Sequence, residues 1–600
     1  MNGDSNGYWA QANQRRSRRA LLRGAALAGA GLYGAAALAC KGTTTSGGTK
    51  PSGGQAQPQP APGGSVTSLI GRTGTDAKTE TPVQGGTLNW YIGANPPTFD
   101  PHLNVSVNTD YVAGAALSRA FRYKTEFDVA ASNNLATEPD LAASAESPDG
   151  TTWTLKLRPG IRFQNLAPVN GHAVEPEDFK QTFIRATSAT NVNASNLSMI
   201  DPAQIEMPDK STVVFKLKYP YAPFPTTLAS AFYSWIMPRE AVAGAYDTNK
   251  TIIGSGPFLL DSYTPDVALM FKKNPDWFEK GRPYIDAVRV AIIPDASARI
   301  AQFTGAHLDY LGTPLLDAVP SVIQQNPKAE IIKNIGNGNG VMYYNLRDSA
   351  SMFLDIRVRQ ALSLAMDRDA YAAGSGFGKD YVQTFSVPPN VGKWAAMAED
   401  YPADTLQWYK FDIPKAKQLM EAAGGAKLTI KMLYPAGNPA DPQLGRQADI
   451  AQNMLRQLPW NLSYATVDYN KDWINGGKGI GYPGGGVPAD SMAWWGWSSR
   501  SSVDEYLYSF FHSKGGGNFE HVGDPQIDQG IDKARSTLNE DERVKAYKDV
   551  QRYIASKVYV LMGMVNGLGY TFVQPRVRNY QLGDFSGIAT GYWSKVWLKG

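Results

Sequence analysis

From about residue 85 onward, the hydrophobic and polar positions of the chain follow two different periods. In "TTWTLKLRPGIRF", residues 151–163, the apolar residues Trp153, Leu155 and Leu157 alternate with polar ones. This two-residue period predicts a half-buried strand, which Pro159-Gly160 ends in a turn. The segment "KLTIKMLY", residues 427–434, alternates in the same way and predicts another strand.

Other segments have the period and the end signals of helices. Asp412 is expected to cap a helix that has Pro414 in its first turn and that ends at Gly424. Asp524-Pro525 predicts the start of a second helix, and apolar residues recur at helical spacing after Asn539. Strands and helices mixed over roughly 500 residues predict an α/β body with more than one lobe.

The first 40 residues have a different pattern. Residues 1–39 carry five arginines and a single acid, Asp4, and the uncharged stretch Gly24 to Ala39 ends at Cys40. A charged start, an apolar segment and small residues at the end are typical of a secretory signal. The apolar stretch is shorter than the about 20 residues that a membrane span needs.

Two short motifs in this region resemble known export signals. "SRRALLR", residues 17–23, resembles the twin-arginine motif, and "ALAC", residues 37–40, resembles a bacterial lipobox with Ala37 in place of the usual leucine. The resemblance implies that residues 1–40 are a signal peptide and that Cys40 becomes lipid-modified. It predicts an exported protein, periplasmic or on the cell surface, that is anchored to the outer face of the cytoplasmic membrane. An uncleaved N-terminal anchor is the alternative.

Composition indicates a tether after the signal region, and charge limits the expected partners. Residues 41–84 are rich in Gly, Pro, Ser, Thr and Gln, which predicts a disordered tether. Residues 1–39 hold five of the 58 basic and one of the 54 acidic residues, so the rest of the chain carries equal numbers of each. A neutral body gives no electrostatic reason to expect nucleic acid as a partner.

Sequence signatures of enzymes and metal sites are missing. The single cysteine excludes an intramolecular disulfide, and the five histidines show no H-E-x-x-H spacing. "GSGPF", from residue 254, lacks the spacing of a nucleophile elbow, and "GNGNG", residues 336–340, precedes a strand and so predicts a turn. The glycine-rich segment 476–486 predicts a mobile loop. We therefore expect a binding protein without catalytic residues, metal or cofactor, and a secreted hydrolase remains a remote alternative.

Five blocks of the chain, in order, resemble one family: the extracellular solute-binding proteins, family 5, which serve peptide and nickel ABC importers. The blocks are "GGTLNWYIGANPPTFDPH" (85–102), "EPDLAASAESPDGTTWTLKLRPGIRFQNLAPVNGHAVEPEDFKQTF" (138–183), "GSGPFLLDSYTPDVALMFKKNPDWF" (254–278), "YYNLRDSASMFLDIRVRQALSLAMDRDAY" (343–371) and "FFHSKGGGNFEHVGDPQIDQGIDKAR" (510–535).

The resemblance implies a two-lobe α/β fold of the periplasmic-binding-protein type, with an extra subdomain in the first lobe. Lobe I is expected to comprise residues 85–128, 251–335 and 558–600, the subdomain residues 129–250, and lobe II residues 336–557. Hinge strands are expected near Asn345 and Val558. The implied partners are a small solute, held between the lobes, and an ABC permease and ATPase complex in the membrane. A monomer is expected.

The resemblance also implies which residues touch the solute. Val105, Ser106 and Val107 follow "DPHLN" and align with a segment whose main chain pairs with an extended peptide. Gly496, Trp497 and Ser498 align with a second such segment, "GWxxD", in which the aspartate holds a peptide's ammonium group. For residues 105–107, the alternative is a loop that only packs on its lobe.

Arg500 stands where that aspartate is expected. Two positive charges about 4 Å apart repel by about 4 kcal/mol at an effective dielectric of 20, which weakens binding about a thousandfold. Peptides with free amino termini are therefore disfavoured unless Asp504 or Glu505 takes the aspartate's role. Arg500 is expected to meet a carboxylate or phosphate, or to pair with Asp504 and bind nothing.

Three tryptophans precede Arg500, and they leave the class of solute open. Trp494, Trp495 and Trp497 are able to stack on sugar rings, so an oligosaccharide is the alternative ligand. In an extended strand, however, Trp494 and Trp495 point to opposite faces, so at least one of the three is expected in the core.

Overall fold

The computed structural model describes residues 70–73, 80–103, 106–132, 135–188, 191, 194–312, 316–336, 340–378, 380–436, 442–474, 479–481, 485–496, 500, 502–559, 561–562, 565–582 and 590–600. The predicted signal peptide, Cys40 and most of the predicted tether lie outside these residues, as does most of the glycine-rich segment 476–486. Within them, no helix combines the length and apolar character needed to cross a membrane.

The strands, in chain order, are β1 (Gly71–Thr73), β2 (Thr87–Ile92), β3 (Ser118–Arg119), β4 (Phe121–Tyr123), β5 (Thr137–Pro139), β6 (Ala142–Glu146), β7 (Thr152–Leu157), β8 (Ile200–Asp209), β9 (Thr212–Leu217), β10 (Trp235–Ile236), β11 (Phe258–Thr264), β12 (Ala268–Lys273), β13 (Ala287–Ile292), β14 (Tyr310–Gly312), β15 (Glu330–Ile335), β16 (Gly340–Tyr344), β17 (Tyr381–Gln383), β18 (Thr429–Ala436), β19 (Asn461–Asp468), β20 (Ser491–Gly496), β21 (Leu561–Met562), β22 (Val565–Val573), β23 (Val577–Arg578) and β24 (Trp597–Leu598).

The α-helices are α1 (Val107–Ala116), α2 (Val129–Ser132), α3 (Pro176–Ala186), α4 (Phe224–Thr227), α5 (Arg239–Val242), α6 (Ala296–Thr304), α7 (Val319–Gln325), α8 (Ile356–Ala365), α9 (Arg368–Gly374), α10 (Ala403–Leu406), α11 (Ile413–Ala422), α12 (Pro442–Leu455), α13 (Val503–Phe511), α14 (Pro525–Ser536) and α15 (Glu540–Lys557). Short 3-10 or π turns lie at Ala194–Leu197, Leu316–Ala318, Met352–Leu354, Pro389–Trp394, Ala398–Asp400, Gln407–Tyr409, Gly425–Lys427, Tyr469–Ile474 and Thr590–Lys595.

The predicted strands and helix ends are confirmed. The two alternating segments form β7 and β18. Asp412, Asp524 and Asn539 cap α11, α14 and α15, each accepting a hydrogen bond from a main-chain N–H of the first turn. Gly424, just after α11, has the left-handed conformation that favours glycine at a helix end.

Four larger sheets organise the fold. Lobe I contains two of them: one has the order β11-β12-β13-β2, and the other has the order β1-β15-β22-β14, with β17 also paired to β22. The subdomain sheet has the order β6-β7-β9-β8, and the lobe II sheet has the order β19-β18-β20-β16-β21. The fold is therefore the expected two-lobe α/β architecture with an additional sheet in the first lobe.

The chain passes between the lobes twice, at adjacent places. It leaves β15 at Ile335 and enters β16 of the lobe II sheet at Gly340, and it returns from β21 to β22. Ile335 pairs with Leu568 on one side of the crossings, and Val341 pairs with Met562 on the other. The chain thus passes from one sheet to the other between Ile335 and Gly340 and again between Met562 and Val565, a few residues from the predicted positions near Asn345 and Val558.

The strand pairing does not follow the predicted lobe boundary at 557/558. β21, residues 561–562, follows that boundary but pairs with β16 of the lobe II sheet. β17, within the predicted lobe II, pairs instead with β22 of lobe I. Strand partners are set by long-range register, which a linear alignment of blocks does not contain.

Part of the predicted tether is a strand. Residues 71–73 pair antiparallel with β15, and the Arg72 guanidinium forms an ion pair with Glu330 at 2.6 Å. The low apolar content that predicts flexibility is offset here by main-chain pairing with a strand about 260 residues away.

The "FDPH" loop fastens lobe I to the subdomain. Asp100 is buried and accepts hydrogen bonds from Arg185 of α3 and from Thr248. Burial alone would raise the pKa of Asp100, but these hydrogen bonds outweigh it and lower the pKa. His102 is held between Arg185 and the Trp235 carbonyl, and burial lowers its pKa to about 4, so the ring is neutral at neutral pH. The motif therefore holds this part of lobe I against the subdomain.

Candidate ligand-binding site

The first predicted ligand segment lies at the start of α1 in lobe I. Ser106 is the N-cap of α1, and its side-chain oxygen accepts a hydrogen bond from the Asn108 N–H at 3.3 Å. Val107 is 45% exposed, and Leu103, on the other side of the loop, is 43% exposed. Val105 lies outside the described residues. The side chains of Leu103 and Val107 are thus open to solvent, while most of the rest of α1 is buried.

Helix α1 is fixed to the core of lobe I. The Tyr111 ring meets the Trp90 ring edge to face, with the ring centroids 4.9 Å apart. Trp90 lies in β2, and residues on either side of Tyr111 are fully buried. The exposed N-terminal end of α1 therefore has a rigid support.

The second predicted segment begins at the end of β20 in lobe II. Gly496 lies opposite Gly340, the residue at which the first crossing enters the lobe II sheet. The Tyr343 hydroxyl lies 3.4 Å from the Gly496 carbonyl oxygen. Trp497 and Ser498 lie outside the described residues. Gly496 therefore stands at the point where the two lobes join.

The two described tryptophans of β20 have different environments. Trp494 is fully buried, with Tyr371 beside it, and its indole occupies the space that a side chain at Gly340 would fill. Trp495 is half-buried, and its ring centroid lies 5.5 Å from those of Tyr469 and Trp473. The prediction that adjacent tryptophans divide between the two faces and that one is core is confirmed, so Trp494 is not a stacking platform for sugars.

Arg500 has no ion-pair partner among the described residues. Its guanidinium carbon lies 4.6 Å from the centroid of the Phe510 ring, and one terminal nitrogen lies 3.5 Å from the Ser509 hydroxyl oxygen. The Nε atom is buried and, within the described part of the chain, unpartnered. Arg500 therefore does not form the ion pair with Asp504 that the sequence left open as an alternative.

Asp504 is engaged elsewhere. Its carboxylate accepts hydrogen bonds from Arg535 at 2.9 Å, from the Tyr221 hydroxyl at 2.9 Å and from the Tyr547 hydroxyl at 2.8 Å. Asp504 is only 1% exposed. Burial alone would lower the pKa of Arg535, but Asp504 raises it, so the guanidinium stays charged. Asp504 is thus unable to take the role of an ammonium-binding aspartate without breaking this network.

The same network joins lobe II to the subdomain. Tyr221 belongs to the segment between β9 and α4, and the neighbouring Ala222 N–H donates to the Arg535 carbonyl at 2.7 Å. The Tyr233 hydroxyl also donates to Glu505, in the first turn of α13, at 3.3 Å. Asp504 and Glu505, four and five residues beyond Arg500, therefore lie against the subdomain of the first lobe.

The predicted site residues fall into two groups. Ser106 and Val107 adjoin one another in lobe I, and Gly496 and Arg500 lie at the lobe II side of the junction. The sequence did not indicate Tyr221, Arg535 and Tyr547, because nothing in their spacing marks residues that meet only through tertiary contact.

A separate cavity of about 600 Å³ lies within the first lobe, away from the junction. It is lined by Arg122, Glu138, Pro139, Ala143, Arg158, Phe278, Glu279, Lys280 and Arg282. Arg122 forms ion pairs with Glu138 at 2.7 Å and with Glu279 at 2.8 Å. The buried charges of this cavity, Arg122 and Glu279, are thus paired with each other. Among the described residues, no three His, Cys, Asp or Glu side chains are arranged to hold a metal ion.

Comparison with known proteins identifies the family. Residues 136–518 match the model of "Bacterial extracellular solute-binding proteins, family 5 Middle". The match covers more than half of the chain, and the chain therefore belongs to the bacterial extracellular solute-binding proteins, family 5.

Similar curated proteins are binding proteins named for different solutes. The chain is 25% identical to di/tripeptide-binding protein 1 of Pseudomonas aeruginosa, over 82% of this chain and 91% of the relative. It is 24% identical to heme-binding protein A of Haemophilus influenzae, over 85% and 92%. It is 26% identical to the dipeptide-binding protein of Escherichia coli, over 78% and 87%.

Solved structures share the fold. The periplasmic binding protein DppA of Helicobacter pylori, in complex with the peptide STSA, aligns with a TM-score of 0.67 at 20% identity, over 86% of this chain and 99% of that one. The oligopeptide-binding protein AppA of Bacillus subtilis, in complex with a nonapeptide, aligns with a TM-score of 0.65 at 20% identity, over 87% and 100%. At these identities the likeness shows the two-lobe fold.

Proposed function

We propose that this protein captures a peptide, or a similarly extended solute, between its two lobes and delivers it to the permease of an ABC importer. The observation that carries the proposal is the pair of adjacent crossings, with one predicted ligand segment on each side of them. Family membership supports the class of solute, as do the di/tripeptides and the nonapeptide for which two of the similar proteins are named or were solved.

Binding and closure are coupled in such an arrangement. A solute that touches the α1 segment and the β20 segment at once makes more contacts when the lobes are closed than when they are open. It therefore shifts the equilibrium toward the closed form by its difference in affinity for the two forms. The closed form is then the state that a permease distinguishes from the empty protein.

Several solutes fit the fold, so the residues at the junction decide among them. Heme-binding and peptide-binding relatives are about equally similar to this chain. An oligosaccharide is the second candidate, and it rests on Trp495, whose half-buried ring lies at the end of β20. The burial of Trp494 removes one of the stacking surfaces on which that candidate depends.

Thermal unfolding in the presence of defined solutes tests the proposal. We expect peptides of three to nine residues with blocked amino termini to raise the melting temperature. At a concentration of about 100 times Kd, a bound solute adds about 2.7 kcal/mol to the free energy of unfolding. Calorimetry should give one solute per chain.

Three outcomes would contradict this proposal. If maltohexaose raises the melting temperature and no peptide does so, the site belongs to oligosaccharides. Cleavage of the added peptides, detected by mass spectrometry, makes the protein a hydrolase. A melting temperature unchanged by every peptide of the panel excludes peptides as the solute class.

The lipid anchor is a separate part of the proposal and rests on the sequence alone. Cys40→Ala should move the protein from the membrane fraction to the soluble exported fraction, because the variant lacks the sulfur atom to which the lipid is expected to be attached. Thr43→Ala, three residues beyond, should leave attachment unchanged. Membrane attachment that persists in Cys40→Ala would favour an uncleaved N-terminal anchor.

A further inference from the structure

Arg500 is a half-buried cation without a counter-ion in the described part of the chain. The Phe510 ring covers one face of its guanidinium, and the contact with the Ser509 hydroxyl is long, at 3.5 Å. A guanidinium has five N–H donors, and Nε is buried without a partner among the described residues. Buried charges are normally paired, so the buried and unpartnered Nε of Arg500 is an unusual feature.

The neighbouring acids do not supply that counter-ion. The Asp504 carboxylate is shared among Arg535, Tyr221 and Tyr547, and removing it would leave Arg535 buried and unpaired. Glu505, the next acid along α13, accepts a hydrogen bond from Tyr233 of the subdomain.

The position of Arg500 makes a solute the natural partner. Four residues before it, Gly496 stands opposite Gly340 at the first crossing. Four residues after it, Asp504 contacts Tyr221 on the first lobe. Arg500 is therefore flanked along the chain by two residues that lie at the boundary of the lobes.

We propose that Arg500 binds a carboxylate of the solute, so that the protein selects solutes that are anionic where they meet lobe II. The inference rests on the proposed function and names the solute class for that site. The planar guanidinium, backed by Phe510, is able to donate two parallel hydrogen bonds to a carboxylate. A cationic group at the same place meets repulsion instead.

Four peptides with the sequence Ala-Ala-Ala test this proposal by calorimetry. The N-acetyl peptide amide is neutral, the free-amino peptide amide is cationic, the N-succinyl peptide amide is anionic at its amino end, and the N-acetyl peptide acid is anionic at its carboxyl end. We expect one of the anionic peptides to bind about 10- to 100-fold more tightly than the neutral one, as for a hydrogen bond to a charged group.

The gain should depend on Arg500. Arg500→Gln keeps a planar polar group against Phe510 and removes the charge, and it should abolish the preference for the anionic peptide. Arg500→Lys should retain part of it. Arg456→Gln, at an exposed lobe II position just beyond α12, makes the same change in net charge and should leave the preference intact.

Each remaining outcome would overturn one of the two claims. If the neutral and anionic peptides bind equally, or if Arg500→Gln keeps the preference, Arg500 does not select the solute, while peptide binding stands. If none of the four peptides binds either the unaltered protein or Arg500→Gln, and both have the same melting temperature, the proposed peptide function itself fails.

Discussion

Replacing Asp504 by asparagine is expected to lower the free energy of unfolding by about 3–5 kcal/mol. The substitution keeps the shape of the side chain but removes the charge that pairs with Arg535 at 2.9 Å. Arg535 is itself buried, and its described charge partner is Asp504, so its guanidinium is left uncompensated. The hydroxyls of Tyr221 and Tyr547 also lose a charged acceptor.

Urea unfolding followed by circular dichroism measures this loss. Asp549→Asn is the matched control, because Asp549 makes ion pairs on the exposed face of α15 with Lys545 and Arg552. Such surface pairs contribute about 0–1 kcal/mol. Equal losses in the two variants, or a loss in Asp504→Asn of less than about 1 kcal/mol, would contradict the buried network.

Gly256→Ala is expected to destabilise the protein by about 2–3 kcal/mol, the upper part of the range for overpacking. A methyl group at Gly256 would lie 2.5 Å from the carbonyl carbon of Ala116 and 2.9 Å from the main-chain nitrogen of Leu117. The Gly256 N–H also donates to the Ala116 carbonyl at 2.9 Å, so the two main chains are held together. Main-chain atoms are less able to move aside than the end of a flexible side chain.

The thermal or urea midpoint of this variant should be compared with that of Gly516→Ala. Gly516 is exposed and has no neighbouring atom within 4 Å of the position of an added methyl group. That substitution should be neutral, because there is nothing for the methyl group to meet. A Gly256→Ala protein as stable as the control would show that the two main chains do not approach so closely.

The parts of the fold that depend on neighbouring residues could be predicted from the sequence. The alternation in β7 and the caps at Asp412, Asp524 and Asn539 involve residues within a few positions of one another. "GSGPF" could be excluded as a nucleophile elbow, but the reason for its glycines could not be found. Gly256 approaches Ala116, which is 140 positions away in the chain.

In the candidate site too, features set by neighbouring residues could be predicted, and features set by distant residues could not. Arg500 could be recognised as the residue that departs from the family pattern, because the alignment is local. The lack of a charged partner for Arg500 could not be predicted, because it depends on the pairing of Asp504 with Arg535. Tyr221, which also contacts Asp504, lies 283 positions before it in the chain. Likewise β1 lies in a segment of tether-like composition, and only its register with β15 makes it a strand.

Small-angle X-ray scattering of the purified protein, with and without the tightest-binding solute of the peptide panel, tests the central claim most directly. If the solute is held between lobes that turn about the two crossings, saturation should lower the radius of gyration and give one bound solute per chain. A bound solute that leaves the radius of gyration unchanged would contradict capture by closure of the two lobes.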